Sequence, residues 1–313
     1  MTINPILFPE RSVWETLLTK SSFYTFFQTY DWMSLWILHF GRSAEVWEVK
    51  DENKTIGIIP LLKESDHYSL IPTSTVLNGQ QVSDYGELII EKGREKEVIK
   101  QVIGERLKVK DKKIILNFIR EDSAILPVFK DLGVHAEEQD MAPYVVLPHT
   151  FDEYLSILSR HSRHELRRKT RRFEESGAEF AEFVGSDRQI ESFFQLMEFD
   201  EKKKSFLTSE MKLFFKEIIH TFYNKKEANI LFIEAEGKLI AGIILFYFRD
   251  EVLLYNSGFD PDYFHLSPGL MVVTQAIKDS IEKKKKVFDF LRGNERYKYD
   301  LGGVDRKLYR IRF

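Results

Sequence analysis

The sequence predicts an α/β protein in two consecutive halves, each with a mixed, mainly antiparallel sheet flanked by helices. Its 313 residues exceed the usual size of one domain, which favours two domains. Each half contains a pair of apolar runs joined by a short polar turn, the pattern of a β-hairpin. Strand-like runs also alternate with amphipathic helical stretches in both halves. With 43% hydrophobic and 14% aromatic residues, the chain has enough apolar side chains for two packed cores.

The composition excludes several classes of function. The chain has no cysteine, which removes disulfides, thiolate metal sites and a covalent relay through a cysteine thioester. The formal net charge of −3 gives no overall field that would attract nucleic acid or a membrane. The first residues lack a basic region followed by an apolar core, and no run of about 18 apolar residues occurs. These features predict a soluble, cytoplasmic protein and leave its oligomeric state open.

The two hairpins are the strongest strand signals. The first covers 45–64 and the second covers 228–250. A gapless overlay of the two places Gly57 on Gly242, which suggests a duplicated unit. Strand pairs also resemble one another by chance, so the duplication is one of two interpretations.

The boundary between the halves follows from a strand and a helix start. The stretch 143–148 predicts a strand that closes the first half. Thr150 and Glu153 have the spacing of a capping box, which opens a helix directly afterwards. We therefore expect a boundary near residue 145, with one domain at 1–145 and a second, which carries the active site, at 146–313.

The second half continues with alternating elements. The patterns predict, in order, helices to about residue 177, a strand at 179–184, an amphipathic stretch at 186–223, the second hairpin, a strand at 252–259, a helix at 270–285 and a strand at 287–291.

The most unusual of these segments is an arginine-rich helix near 160–176. Leu166 and Phe173 fall on one stripe at helical spacing, whereas Arg160, Arg163, Arg167 and Arg171 gather on the opposite side. Guanidinium groups match phosphate and carboxylate geometry, so this face suits a phosphorylated substrate, a cofactor phosphate or an RNA backbone. A solvated face neutralised by nearby glutamates is an equally good interpretation.

Two further segments lie at strand ends, where α/β sheets place ligands. Ser267, Pro268 and Gly269 suit a capped helix start, which binds phosphate through free N–H groups, or which is simply a well-capped helix. The block 289–298 turns from an apolar strand into polar groups. Asp289 sits between apolar neighbours and needs a partner such as Arg292 or Lys298, either as part of a site or as a structural ion pair.

A metal site is not expected. His161 and His164 have the spacing of two zinc ligands on a helix, but no further ligand is recognisably placed to complete a site.

Taken together, these segments resemble the CelD-like acetyltransferases, and more distantly the Fem-type aminoacyltransferases, over nearly the whole chain. In the first half, Gln28 and Trp32 match a Q-x-x-x-W helix, and 57–61 match a G-x-x-P-L strand. In the second half, the arginine-rich helix, the loop at 257–269 and the block at 289–298 are similar to three ordered motifs of the family.

The resemblance implies two tandem GNAT-like domains and transfer of an acyl group from acyl-CoA, as co-substrate, to an amine or hydroxyl acceptor. A sugar amine or a cell-envelope or exopolysaccharide precursor is the acceptor that it suggests. The Fem-type branch instead uses aminoacyl-tRNA, the one case in which nucleic acid would be a partner, and extends peptidoglycan precursors. A non-catalytic relative that binds an anionic partner is the third hypothesis.

The sequence departs from classical GNAT enzymes at the strand-to-helix junction. Their Gln/Arg-x-x-Gly-x-Gly/Ala loop is replaced by 265–269, so binding of CoA follows from the resemblance alone.

The resemblance and the residue patterns together give an expected site. The donor's phosphates are assigned to Ser267, Gly269, Leu270, Arg163 and Arg167. The catalytic group is Asp289 as base or orienting carboxylate, Tyr297 as proton donor, and Lys298 in the same cleft. Substrate contacts are assigned to Tyr255, Ser257, Arg292, Trp32 and Gln28.

Overall fold

The computed structural model describes residues 1–108 and 113–313, which fold into helices and strands of an α/β protein. The strands of the described residues are β1 (Thr2–Ile6), β2 (Ala44–Asp51), β3 (Lys54–Lys63), β4 (His67–Leu70), β5 (Ile89–Ile90), β6 (Lys113–Arg120), β7 (Ala136–Met141), β8 (Tyr144–Val146), β9 (Glu179–Glu182), β10 (Ala228–Ala235), β11 (Lys238–Phe248), β12 (Glu251–Phe259), β13 (Val287–Asp289) and β14 (Lys307–Arg312).

The α-helices of the same residues are α1 (Arg11–Lys20), α2 (Tyr30–Phe40), α3 (Glu95–Lys108), α4 (Ile125–Asp131), α5 (Phe151–Ile157), α6 (Arg160–Glu175), α7 (Asp187–Glu198), α8 (Glu201–Phe206), α9 (Ser209–Asn224), α10 (Pro268–Glu282) and α11 (Arg296–Asp300).

The first compact unit comprises residues 1–141 and 306–313. Its sheet has the order β1-β2-β3-β4-β6-β14-β7, with β5 paired to β3. Of these ladders, β4 with β6 is parallel and the others are antiparallel. A buried cluster joins Val98 of α3 and Phe129 of α4 to Ile59 and Leu61 of β3. The first half is therefore a mixed, mainly antiparallel sheet with helices packed on it, as predicted.

The second compact unit comprises residues 142–305. Its sheet has the order β8-β13-β12-β11-β10-β9, with a parallel ladder between β12 and β13. Helix α10 packs on one face, where Ile243 and Leu245 belong to the same buried cluster as Val272. On the other face Phe246 meets Phe222 of α9 at 5.5 Å between ring centroids. Because β11 is buried on both faces, its sequence is a continuous apolar run and not an alternating one.

The two hairpins share their turn geometry. Both have a glutamate at the first turn position in the left-handed region, Glu52 and Glu236, each with φ of 53°. Both carry a register irregularity two residues before the strand ends, after Val49 and after Ile233. The two turn glutamates are 184 residues apart, and equivalent positions of the two hairpins therefore have the same separation.

The overlay of Gly57 on Gly242, which are 185 apart, is thus wrong by one residue. A one-residue slip exchanges the two faces of a strand, so it matters for packing. The glycines serve different neighbours, because a Cβ would meet Val98 at 2.9 Å at Gly57 and Phe193 at 2.9 Å at Gly242.

Two strands lie in a different unit from the one expected. The strand predicted to close the first half is β8, and it pairs with β13 in the second sheet. The last strand, β14, pairs with β6 and β7 in the first sheet, although the expected boundary assigns it to 146–313. Hydrophobic patterning identifies a strand, but the partner across a long sequence separation is decided by the whole sheet.

Candidate functional site

In the second sheet, part of strand β12 has no neighbour on the side where β13 pairs with it. Strand β12 pairs with β13 at three positions, ending with Leu253 opposite Asp289. The remaining residues, Leu254–Phe259, run on without β13 beside them. The register with β11 also shifts here, since Ile244 faces Asn256 and Leu245 faces Leu254. Tyr255 is therefore the bulged residue, and bulges commonly re-aim side chains beside sites.

The chain that follows β13 forms a loop held by two buried polar residues. The Asp289 side chain has no exposed surface and accepts the Leu291 N–H at 2.8 Å. Leu291 has a φ of 58°, which is strained for a branched side chain and is retained only where neighbours enforce it. Asp289 is one such neighbour.

Lys298 is the second buried polar residue that holds this loop. Its buried Nζ donates to the carbonyls of Leu291, Arg292 and Gly293 at 3.1, 2.7 and 3.1 Å and forms an ion pair with Glu295 at 2.9 Å. An ammonium with these partners is a clamp for the loop. Asp289 and Lys298 therefore hold the loop that follows β13, and the catalytic roles assigned to them stay predictions.

Tyr297 is partly buried and packs against the core of the second unit. Its ring packs edge-on against Phe290, with 6.3 Å between centroids. Burial raises the pKa of its hydroxyl well above the usual value, and the nearby Glu295 adds to the effect. The hydroxyl therefore keeps its proton at neutral pH, as a proton donor must.

Lys203 is a residue that sequence analysis did not single out. It lies on α8, which is capped by the Asp200 side chain, and its Nζ donates to the Ser257 carbonyl at 2.5 Å and lies 3.3 Å from the Ser257 Oγ. Burial lowers the pKa of Lys203, Asp200 and Glu295 oppose that change, and Lys298 reinforces it. The charges of Glu295 and Lys298 thus act on Lys203, the same lysine that binds Ser257.

A pocket of about 210 Å³ opens beside this group, lined by Asp200, Lys203, Ser257 and Phe259 among others. The sequence signal for Lys203 was weak because it stands in a run of three lysines in an amphipathic stretch. Only the fold shows which of the three turns inward.

The helix start at Ser267 is partly as expected. Ser267 is the N-cap and Pro268 the first residue of α10, but the Ser267 side chain makes no capping hydrogen bond. Its backbone is left-handed, with φ of 54°, so the hydroxyl is not in the usual capping position. The N–H groups of Leu270 and Met271 instead donate to the Ser267 carbonyl at 3.0 and 3.1 Å. The Leu270 N–H, which was expected to meet a phosphate, is therefore already used.

The arginines of α6 divide into two groups. Leu166 and Phe173 are buried, as predicted. Arg168 pairs with Glu165 at 2.8 Å, Arg172 donates to the His265 carbonyl at 3.0 Å, and Arg163 lies 3.5 Å from the carbonyls that end α5. In the described part of the chain, Arg167 and Arg171 make no ion pair or hydrogen bond, and both line a groove of about 420 Å³ between α6 and α10.

The remaining expected substrate contacts are packed in the protein. Trp32 and Gln28 have no exposed surface. The Trp32 indole N–H donates to the Ser83 hydroxyl at 2.8 Å, and the Gln28 amide nitrogen donates to the Tyr85 carbonyl at 3.1 Å. They stabilise the core of the first unit and have no free surface for a substrate. Tyr255 packs against Phe215 and Phe246, with 5.6 and 5.2 Å between ring centroids. Arg292 is partly buried, and its carbonyl belongs to the Lys298 clamp.

The described residues contain no group of three or more histidine, aspartate or glutamate side chains placed to hold a metal ion. Among the same residues, no helix has the length and apolar composition needed to cross a membrane.

Comparison with known proteins gives the fold its context. The family model described as "Acetyltransferase (GNAT) domain" matches residues 160–299, which run from α6 into α11. No curated protein sequence matches the chain.

Several solved structures share the architecture of the whole chain. A structure described as FemX has a TM-score of 0.69 at 12% identity and covers 100% of this chain and 97% of its own. L-PGS from Bacillus licheniformis has a TM-score of 0.61 at 13% identity, covering 97% and 91%. A tandem GNAT protein from the clavulanic acid biosynthesis pathway has a TM-score of 0.56 at 12% identity, covering 99% and 97%. Residues 160–299 are therefore similar to GNAT acetyltransferase domains, and the chain as a whole has a tandem GNAT-like fold that it shares with these structures.

Proposed function

We propose that the protein transfers an acyl group from acyl-CoA to an amine or hydroxyl acceptor, with the reaction in the cleft beside β12. The observation that carries this proposal is the free run Leu254–Phe259, which has no β13 neighbour beyond Leu253. A strand edge of this kind binds an extended ligand that carries amide groups, through main-chain hydrogen bonds. The arm of CoA next to its thiol is such a ligand.

The chemistry that we assign is direct attack in a ternary complex. The acceptor nitrogen or oxygen forms a bond to the acyl carbon and releases its proton to solvent, the carbon–sulfur bond breaks, and the departing thiolate takes a proton from a donor that solvent then reprotonates. Tyr297 supplies that proton because burial keeps its hydroxyl protonated. Asp289 and Lys298 act as positioning residues that hold the loop, and Lys203 and Ser257 face the acceptor in the neighbouring pocket.

The acceptor proposed is a sugar amine or a cell-envelope or exopolysaccharide precursor, following the resemblance of the sequence motifs. A cytoplasmic site of action fits a CoA-dependent reaction. Arg163 and the start of α10 stay assigned to the donor's phosphates. A Cβ on Gly269 would meet Phe259, which lines the pocket beside Lys203, at 3.4 Å.

The second candidate is transfer from aminoacyl-tRNA in the manner of the Fem-type branch. The similarity of the whole fold to FemX favours it, as do Arg167 and Arg171 on α6, which make no ion pair or hydrogen bond within the described residues. Against it, Fem-type proteins often carry a long helical hairpin in the second half, whereas the longest helices in the described residues, α6 and α9, have 16 residues each.

Thermal unfolding with acetyl-CoA, free CoA and longer acyl-CoAs tests the donor first. A ligand at 100 times its Kd adds about 2.7 kcal/mol to the stability of the state that binds it. We expect a rise in Tm that depends on the acyl group, followed by release of free thiol when amino sugars are added. No rise with any CoA, together with aminoacyl transfer from charged tRNA, would instead establish the second candidate.

A further inference from the structure

The groove between α6 and α10 has an apolar floor and a basic rim. The floor includes Leu155, Leu166, Phe173, Phe180 and Met271. Its volume of about 420 Å³ lies in the range of small-molecule sites. It belongs entirely to the second unit and does not include the cleft residues Lys203, Ser257 or Tyr297.

The neutral polar side chains around the floor are engaged within the protein. Thr274 donates to the Leu270 carbonyl at 2.8 Å, and the Thr170 hydroxyl lies 3.9 Å from the Met271 sulfur. The Gln275 amide nitrogen donates to Asp279 at 2.7 Å. A ligand with many hydrogen-bonding edges, such as a nucleobase or a sugar, would find few free partners here. The surface that is left is aliphatic and aromatic.

The rim, in contrast, has charges without partners. Arg167 and Arg171 make no ion pair or hydrogen bond within the described residues, whereas Arg168 and Arg172 on the same helix are engaged. Lys278 adds a third positive charge and Glu174 one negative charge. Three positive groups and one negative group leave a net charge of +2 around the groove, which matches a phosphate monoester dianion.

We propose that this groove binds an amphiphile in which an alkyl or acyl chain carries a phosphate. The chain lies on the apolar floor, and the phosphate meets the guanidinium groups of Arg167 and Arg171. This replaces the assignment of Arg167 to the donor's own phosphates. The inference does not depend on acyl transfer, because it concerns binding at a different place from the cleft.

Direct binding of dodecyl phosphate, below its critical micelle concentration and without any CoA, is the first test. We expect saturable binding by calorimetry that tightens severalfold with each methylene along an alkyl phosphate series. Arg167→Gln with Arg171→Gln should weaken it by about tenfold or more, and added salt should weaken it as well. Arg160→Gln, on the same helix but outside the groove, is the matched control and should change binding by less than about twofold.

Two sources of the same chemistry are separated by a second arm. Sedimentation with phosphatidylcholine vesicles that contain phosphatidic acid reports a lipid headgroup, and monomeric dodecyl phosphate reports a soluble ligand. Loss of either kind of binding in the double variant supports the groove. Inorganic phosphate that binds as tightly as dodecyl phosphate, or vesicle binding that persists in the double variant while the monomer does not bind, would overturn it. Melting curves of both variants, expected to match the parent, exclude unfolding as the cause.

Discussion

Tyr297 is the proton donor that we propose for the reaction beside β12. Replacing Tyr297 by Phe removes the proposed proton donor while leaving the ring against Phe290. We expect turnover to fall by about 10²-fold or more, with little change in Tm, because general acids contribute on that scale. Steady-state thiol release checks it, with Tyr299→Phe as the matched control, since the Tyr299 hydroxyl donates instead to Asp305 at 2.7 Å. Unchanged turnover in Tyr297→Phe would remove this residue from the reaction.

Glu87, in the first unit, predicts a pH dependence of stability. The side chain is buried, and its Oε2 has no hydrogen-bond partner among the residues that the structure describes, while Oε1 accepts the Leu88 N–H at 2.9 Å. Burial raises its pKa from 4.5 to about 8, opposed by Ser123 and Leu88. Between these two values the folded state holds a proton that the unfolded state has lost, so stability is complete below about pH 4.5 and falls as pH rises towards 8.

Glu87→Gln should therefore remove most of that loss. We expect the variant to gain up to about 4 kcal/mol over the parent on going from pH 5 to pH 8.5. Urea unfolding followed by tryptophan fluorescence measures it, and Glu121→Gln, at an exposed position, is the control. Parallel pH profiles for parent and Glu87→Gln would show that the carboxyl does not titrate in this window.

At the scale of elements, the contact between α7 and β12 fixes one side of the cleft. A Cβ on Gly258 would lie 2.5 Å from the backbone of Leu196 and Met197, so Gly258→Ala must push the helix from the strand. We expect the free energy of unfolding to fall by about 2 kcal/mol and the acceptor to bind more weakly in the pocket beside Lys203. Gly269→Ala is the matched control, because its Cβ would meet Phe259 at an ordinary 3.4 Å, and it should stay within about 1 kcal/mol. Equal stability of the two variants would contradict this packing.

At the scale of the whole molecule, the last strand belongs to the first sheet. The chain has four tryptophans, at positions 14, 32, 36 and 47, and all lie in the first unit, so tryptophan fluorescence reports on that unit. Ile311→Ala on β14 deletes a fully buried side chain of that unit's core and should lower its unfolding free energy by about 2–5 kcal/mol. Ile243→Ala in the second core is the matched control and should move the circular dichroism transition of the other unit. A tryptophan transition unaffected by Ile311→Ala would contradict the placement of β14.

Sequence alone determined the fold class, both hairpins, the capping box at Thr150 and the buried stripe of α6, because each depends on local spacing and turn chemistry. The motifs that carry the family resemblance also predicted that the chemistry lies near the ends of β12 and β13. These are properties of neighbours along the chain, and periodicity reports them directly.

Only the tertiary structure decided that β8 joins the second sheet and β14 the first. It also decided that Lys203 turns inward and that Asp289 and Lys298 hold a loop. The burial of Gln28 and Trp32 in the core of the first unit likewise depends on the fold. The tertiary structure also separated Arg167 and Arg171 from the paired arginines beside them. Each of these outcomes depends on which distant backbone carbonyl, carboxylate or ring is within about 3 to 5 Å, and burial by remote elements sets that distance. Residue type and spacing fix what a side chain can do, and packing fixes which partner uses it.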